Sequence, residues 1–328
     1  LWMKKAEKAA IDYSFHMNLT QFNEKIAKEI PSLMKMGIQT LKVFTAYNGR
    51  LRIDDGSIFR AMQIAKDNGM LVMAHCENGD VIDTLVEQAL AAGFDANMMR
   101  DDYLVPDAVV EIQPLRPKGG KIVWEWHVWD HLIQDADRRK PNYGDPAQHP
   151  ERIYVNCNGR PMAAFWNHMN SLDYNAKLDQ ISMSARGCNE IWVIDHSTTT
   201  KEAAGHTGGK HGKGGDLIYR WGNPAAYKRG TMQDKQLIQQ HDAQWIPDGS
   251  PGAGHLTIFN NGYDRGYSSI EEIVLPMDAS GRYILEPGKP YGPEKPIWHY
   301  EAKNRTDFFS AEISGAHRLP NGNTLICG

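Results

Sequence analysis

The stretch that decides the fold reads QISMSARGCNEIWVID, at residues 180–195. It contains two short strand-like runs, 180–184 and 191–195, separated by a break that includes Gly187 and Asn189. Apolar runs of this length bounded by turn residues are typical of β-strands. The stretch therefore predicts two strands joined by a turn.

The same pattern recurs through the larger part of the chain. Strand-like runs at 121–126, 217–221, 255–260, 283–286 and 323–327 lie between clusters of Gly, Pro, Asn and Asp. Trp126 and Trp221 each end such a run, and WDHL at 129–132 echoes WNHM at 166–169. Repeated short strands with recurring aromatic residues favour a β-propeller over a sandwich. The fold class predicted from residue 94 onward is mainly β.

The front of the chain has a different composition. Of 17 prolines only Pro31 precedes residue 95, and of nine tryptophans only Trp2 does. Helix-like runs at 21–36, 57–68 and 80–92 alternate there with strand-like runs at 40–46 and 70–75. This βαβα order predicts a parallel sheet or barrel. We therefore expect two domains, a partial α/β-barrel at 1–93 and a β-propeller at 94–328.

Composition excludes several classes of protein. The 328 residues are 41% hydrophobic and 23% charged, with a net charge of -4, so neither disorder nor nucleic-acid binding is indicated. No run approaches the roughly 20 apolar residues of a membrane span, and residues 1–6 lack the apolar run of a signal peptide. The four cysteines form no C-x-x-C pair, which argues against a zinc knuckle or redox motif. Their spacing leaves the redox compartment open.

Three stretches of the front segment resemble the hydantoinase and dihydropyrimidinase branch of the amidohydrolases, at 10–17, 41–47 and 74–80. The resemblance implies that Lys42 is the carbamylated lysine bridging two metal ions, that His75 ligates one of them, and that Tyr47 assists attack on a cyclic amide. A carboxylate-like bridge together with imidazole suits zinc or manganese.

The rest of that ligand set has no counterpart in this sequence. The family's His-x-His motif would precede residue 1, and its later histidine and aspartate would fall where the chain has changed character. Lys42 and His75 are therefore expected to be vestigial. A metal-dependent cyclic amide hydrolase with a divalent metal pair remains the alternative function.

The larger segment resembles bacterial aryl-sulfate sulfotransferases. The resemblance is carried by residues 98–103, 123–131, 166–171, 190–196, 240–243 and 319–326. It implies a six-bladed propeller, incomplete here, that moves a sulfuryl group from one phenol to another without a nucleotide or other cofactor. The family is usually exported to the periplasm. The whole chain thus reads as a chimera, with a hydantoinase-like fragment ahead of a sulfotransferase-like propeller.

The sulfotransferase resemblance also implies residue roles. His241, in Gln-His-Asp-Ala, matches the histidine that becomes sulfated, while His168 and Arg186 match the pair that binds the sulfate oxygens and helps the phenolate leave. His131 is the first choice for a fourth family histidine because its Trp-x-His context repeats that of His168, and His127 is the second.

These residue types suit the chemistry. Sulfuryl transfer spreads charge over peripheral oxygens, so cationic donors and positioning dominate, and an imidazole that is neutral near pH 7 can attack. The expected partners are aryl sulfates and small phenols. A homo-oligomer is also expected, because an unclosed propeller exposes strand edges. A non-catalytic propeller that serves as a binding module is the second alternative.

The glycine- and lysine-rich stretch at 206–215 is similar in composition to a phosphate-binding loop. It lacks the G-x-x-x-x-G-K-[ST] order and a following helix, so we predict a basic surface loop.

Overall fold

The protein is represented by a computed structural model that describes residues 15–75, 79–80, 83–84, 107–115, 120–157 and 166–327. The chain divides into two compact units, Leu1–Met98 and Met99–Gly328. The predicted domain boundary between residues 93 and 94 and the motif at 98–103 lie outside the described residues, as does most of the predicted helix 80–92.

The first unit alternates strands and helices. In chain order its elements are β1 (His16–Asn18), α1 (Glu24–Lys35), β2 (Thr40–Phe44), α2 (Asp55–Asp67) and β3 (Leu71–His75). The three strands form a parallel sheet in the order β1-β2-β3. Each helix begins at a side-chain cap, Asn23 for α1 and Asp54 for α2, which accepts an orphan N–H of the first turn. The predicted alternation is present, and a barrel remains a prediction.

The second unit consists mostly of strands. Its elements are β4 (Ala108–Pro114), β5 (Gly120–His127), β6 (Leu132–Ile133), β7 (Ile153–Tyr154), β8 (Met169–Asn175), β9 (Gln180–Ala185), β10 (Glu190–Asp195), α3 (Thr200–Ala203), β11 (Tyr219–Trp221), β12 (His241–Trp245), β13 (Leu256–Asn260), β14 (Ser269–Ile273), β15 (Trp298–Tyr300), β16 (Gly315–Arg318) and β17 (Thr324–Cys327). The mainly β prediction is confirmed.

Two four-stranded antiparallel sheets dominate this unit. One contains β8, β9, β10 and β11 in chain order, and the other contains β12, β13, β14 and β15 in chain order. The deciding stretch forms β9 and β10, joined by a 3-10 turn at Arg186–Cys188 and by Asn189 in the left-handed region. Hairpins β4-β5 and β16-β17 and the short parallel pair β6-β7 complete the list of described sheets.

Two sequence predictions need correction or refinement here. The run 283–286 forms no strand, since Tyr283 makes only an isolated bridge to Met277. The stretch 206–215 contains no helix or strand. His206 and Lys210 are exposed, whereas Gly214 and Gly215 are buried. In the described part of the chain, no helix combines the length and apolar character needed to cross a membrane.

Hydrogen bonds from backbone N–H groups to aspartate carboxylates join the first strand of one sheet to the first strand of the next. Asp173 in β8 accepts the backbone N–H of Trp245 in β12 at 2.8 Å. Asp242 in β12 likewise accepts the N–H of Ala316 in β16 at 2.8 Å. Because a strand edge otherwise leaves N–H groups without partners, these carboxylates both satisfy the edges and set neighbouring strands in register.

The cores of the two large sheets are held by apolar packing and one buried ion pair. Every residue of β9 and β10 is buried, as are those of β11 and β13. Within this core the guanidinium of Arg220 binds the carboxylate of Glu190, and both side chains are completely buried. Burial raises the pKa of Glu190 even though Arg220 opposes the shift.

A disulfide joins Cys157 to Cys188, 31 residues apart, and both cysteines are buried. Cys188 ends the 3-10 turn that begins at Arg186, so the bond ties this turn covalently to the segment after β7. The pairing was not predicted from the sequence.

We expect the double variant Cys157→Ser/Cys188→Ser to unfold more readily, since closing a loop of this length restricts the unfolded chain by about 3–4 kcal/mol. Urea unfolding followed by tryptophan fluorescence reports on the second unit, because eight of the nine tryptophans follow residue 95. Cys327→Ser, at an exposed free cysteine, is the matched control. Equal midpoints for the double variant and the parent would contradict this expectation.

Candidate functional site

Two of the predicted residues are held together by backbone pairing. His168 immediately precedes β8, and its carbonyl accepts the N–H of Arg186 at 3.2 Å. The carbonyl of Asn167 accepts the N–H of Gly187 at 3.0 Å. A Cβ at Gly187 would lie 1.8 Å from the carbonyl oxygen of Trp166, so only glycine permits this approach.

The third predicted residue, His241, opens β12 and is brought to the same place by polar contacts. The carbonyl of Gln240 accepts a hydrogen bond from the amide of Asn170 at 2.8 Å. Arg186 donates through Nη2 to the side-chain oxygen of Gln239 at 2.6 Å. The segment that precedes His241 is thereby fastened to both the β8 side and the Arg186 turn.

The environment of His241 favours a neutral imidazole. Burial lowers the pKa of His241, and the charges of Arg186 and His168 lower it further, while hydrogen bonds to Oδ1 of Asn261 and with the backbone of Gln239 act in the opposite direction. The charges of Arg186 and His168 both act on the ring of His241.

Hydrogen bonding also determines which ring nitrogen of His241 carries the proton. Nδ1 lies 2.8 Å from Oδ1 of Asn261. The amide of Asn261 donates through Nδ2 to the carbonyl of Ser310 and to Oγ of Ser314, which fixes Oδ1 as the acceptor facing the ring. A neutral His241 therefore carries its proton on Nδ1 and its lone pair on Nε2. Asn261 was not found by sequence reasoning, since nothing in the Asn-Asn-Gly context marks it.

Several buried polar atoms around these residues have no hydrogen-bond partner among the described residues. They are Nε of Arg186, both side-chain polar atoms of Asn167, Oδ1 of Asn170 and Oε1 of Gln240. Leaving such groups unsatisfied costs about 1–3 kcal/mol each, so native proteins rarely do so without a ligand or ordered water. The donors among them, from Arg186 and Asn167, suit an anion.

The backbone is strained at the same place. His168, Gln239 and Asp242 have φ values of 40°, 52° and 53°, which non-glycine residues seldom adopt. Strain of this kind costs about 1–3 kcal/mol per residue and is concentrated at functional sites. Its position next to His168 and His241 supports a functional role for this region.

Comparison with protein families identifies the second unit. A model described as Arylsulfotransferase (ASST) matches residues 80–328, which is more than half of the chain. The chain belongs to the arylsulfotransferase family. The predicted resemblance of the larger segment is thus confirmed.

Asp107, within the region that the arylsulfotransferase model matches, lies next to the start of β8. Its Oδ2 accepts the N–H of Met169 at 2.7 Å, so it relates to the start of β8 as Asp242 relates to β16. Burial raises the pKa of Asp107, while the Met169 bond and the charge of His168 act in the opposite direction. Asp107 was missed because its distance of 62 residues from Met169 carries no sequence signal.

His131, the first choice for a fourth functional histidine, occupies a different setting. Its ring is completely buried and stacks on Trp126, with Nδ1 2.8 Å from Asp216 and Nε2 2.9 Å from the carbonyl of Ala203. Both ring nitrogens are therefore engaged with protein oxygens. His127, the second choice, is half-buried and lies 3.3 Å from Glu125.

The front residues Lys42, Tyr47 and His75 lie near one another. The rings of Tyr47 and His75 are 5.1 Å apart, and the ammonium of Lys42 lies 5.6 Å from the ring of Phe44, which is next to His75 in the β2-β3 register. Across the described residues, the one group of three or more His, Cys, Asp or Glu side chains close enough to share an ion lies elsewhere, at His131, His206 and Asp216.

A short segment is similar to hydantoinases. The D-hydantoinase of Streptomyces coelicolor is 52% identical over 93 residues, and that of Geobacillus stearothermophilus is 44% identical over 94. Each match covers 28% of this chain and 20% of the relative, so the chain spans about a fifth of their length. The solved D-hydantoinase of Bacillus sp. AR9 is 44% identical, with a TM-score of 0.26, over 28% of this chain and 21% of that one. The family match over residues 80–328 and the hydantoinase similarity of a short segment are together consistent with the predicted chimera.

Replacing Asn261 by Asp is expected to raise the pKa of His241, because a carboxylate next to Nδ1 stabilises the imidazolium. NMR titration of the assigned His241 ring would measure the change. Asn321→Asp, at an exposed turn position, is the matched control and should leave the His241 titration where it is. An unchanged His241 titration in Asn261→Asp would show that the two side chains do not interact in solution.

Proposed function

We propose that this chain transfers a sulfuryl group from an aryl sulfate to a phenolic acceptor through a sulfohistidine at His241. The observation that carries the proposal is the position of His241, with Nδ1 facing Oδ1 of Asn261, next to a guanidinium that retains a buried Nε–H without a partner among the described residues. A nucleophile beside an anion-binding donor is the arrangement that acyl, phosphoryl and sulfuryl transfer require.

In the first step, Nε2 of His241 attacks the sulfur of the donor. The new N–S bond forms as the bond from sulfur to the aryl oxygen breaks, and the phenolate leaves with the electron pair. His168 provides a proton or a hydrogen bond to that oxygen. Arg186, held by Gln239, keeps Nε directed to the sulfuryl oxygens, where charge accumulates in a loose transition state.

In the second step, the oxygen of an acceptor phenol attacks the same sulfur. The N–S bond breaks and returns its electron pair to Nε2 of His241, while the phenol loses its proton to the group that protonated the first phenolate. The cycle needs neither a metal nor a nucleotide, and its two half-reactions predict ping-pong kinetics. Aryl sulfates and small phenols are the substrate class.

The groove next to β8 supports an aromatic substrate. A cavity of about 310 Å³ lies between the start of β4 and β8, and its apolar lining includes Val109, Met169, Leu172 and Met183. Methionine side chains adapt to flat rings of differing shape. Because Met169 directly follows His168, a ring in this groove would lie near the proposed acid.

We further propose that the second unit is part of a six-bladed propeller. The two four-stranded sheets are each built in chain order, and β8 and β12 are neighbours through Asp173 and Trp245. Sheets of this kind arranged around an axis bring the starts of their first strands together. His168 precedes β8 and His241 opens β12, which supports a site at that axis.

Three variants test the cycle with 4-nitrophenyl sulfate and a phenolic acceptor, with nitrophenolate release as the measurement. His241→Ala should abolish release, because the sulfohistidine cannot form. Arg186→Ala should lower kcat by about 10²- to 10³-fold, as loss of an oxyanion donor does. Lys42→Ala in the front unit is the control and should match the parent. Full turnover by His241→Ala would refute the mechanism.

The pH dependence should follow His241. Since burial holds the pKa of His241 below its ordinary value of about 6.5, the neutral nucleophile persists into mildly acidic solution. We expect kcat/KM to stay level near neutrality and to fall only when the pH drops through that lowered pKa. In Asn261→Asp the fall should begin at higher pH. A profile in which the two proteins coincide would exclude His241 as the titrating group.

A further inference from the structure

A second cluster of metal-binding side chains lies apart from the residues of the proposed cycle. We propose that His131, His206 and Asp216 bind one divalent metal ion of the zinc type. One potential ligand atom from each residue lies within 4.8 Å of the other two. Two imidazoles and one carboxylate form a donor set that zinc uses in proteins, with a fourth position left open.

The hydrogen bonds of His131 prepare its ring for a metal. Nε2 lies 2.9 Å from the carbonyl oxygen of Ala203, which can only accept, so Nε2 carries a proton. A neutral His131 then directs the lone pair of Nδ1 at Oδ1 of Asp216, 2.8 Å away. Metal-bound histidines are commonly fixed in this manner by a backbone carbonyl on the other nitrogen.

His206 converges on the same oxygen. Its Nδ1 lies 2.9 Å from Oδ1 of Asp216, so one carboxylate oxygen faces two imidazole nitrogens. The three potential ligand atoms all lie within 4.8 Å of one another, so a single ion could contact all of them. The lone pairs of two imidazoles and one carboxylate oxygen would be its protein ligands.

The surroundings hold the three ligands in place. Asp216 is bound through its other oxygen by Nε of Arg152 at 3.2 Å, which leaves Oδ1 for a single metal bond. Trp126 stacks on His131 and donates to the carbonyl of Gly215 at 2.7 Å. A Cβ at Gly215 would lie 2.0 Å from the carbonyl of Ala203 and 2.7 Å from Nε2 of His131, so glycine is required here.

The open position can be reached from solvent. The side chain of His206 is 44% exposed and lines a cavity of about 410 Å³ together with Trp129, His149 and Arg152. Water from this cavity can supply the fourth ligand.

The ion would act as a structural link. His131 ends the 3-10 turn Val128–His131, while His206 begins the glycine-rich stretch 206–215 and Asp216 follows it, so one metal would join the two segments. A metal-binding role removes His131 from the candidate residues for sulfuryl transfer. The metal proposal does not depend on sulfuryl transfer.

Zinc binding to the full chain tests the proposal. After treatment with a chelator and dialysis, Zn²⁺ affinity is measured by competition with a chromophoric chelator, and the same site is probed with Co²⁺ by its visible absorption. We expect one equivalent bound with micromolar or tighter affinity, a tetrahedral Co²⁺ spectrum, and a rise in thermal stability with Zn²⁺.

His206→Ala should weaken zinc binding by more than 10-fold. The His206 side chain is 44% exposed, so the variant should keep its fold, and circular dichroism checks this directly. His149→Ala, at another histidine of the same cavity that contacts Glu151, is the matched control and should bind zinc as the parent does. The double variant Lys42→Ala/His75→Ala separates any contribution of the front unit. Absence of tight zinc binding in the parent, or equal binding in His206→Ala, would overturn the proposal and leave Asp216 as a hydrogen-bonding centre only.

Discussion

Bonds from aspartate carboxylates to backbone amides determine how the sheets of the second unit meet. Asp107, Asp173 and Asp242 each accept an N–H from the first strand of the following sheet, at 2.7 to 2.8 Å. Each bond satisfies an edge that would otherwise lack a partner and sets the register between two sheets. His168 and His241 stand at the starts of strands joined in this way, so their proximity depends on these contacts.

This arrangement places the imidazole of His241 within the electrostatic influence of the Arg186 guanidinium. Arg186 would repel an imidazolium at His241, and burial acts in the same direction, so both lower the pKa of His241. The guanidinium thereby favours the uncharged form of the imidazole. The accompanying strain at His168 and the unsatisfied amide of Asn167 lower stability, which the buried sheets around Trp192 and Arg220 offset.

The features that could be predicted from the sequence are those that depend on a local residue pattern or on a motif. The two strands of the deciding stretch are found within a residue of their predicted ends, whereas the roles of His168, Arg186 and His241 stay predictions. Asn261 and the Cys157–Cys188 pair were missed, because contacts across a sheet join residues whose spacing follows loop lengths. The setting of His131 was missed for the same reason, since Asp216 lies 85 residues away.

The disulfide has a practical consequence for anyone who produces this protein. Cys157 and Cys188 enclose His168 and Arg186 in one covalent loop, and a bond of this type persists only where thiols are not kept reduced. Expression in a reducing cytosol would yield a chain in which the Arg186 turn is no longer tethered. Material prepared by secretion or by oxidative refolding is therefore the appropriate starting point for kinetic work.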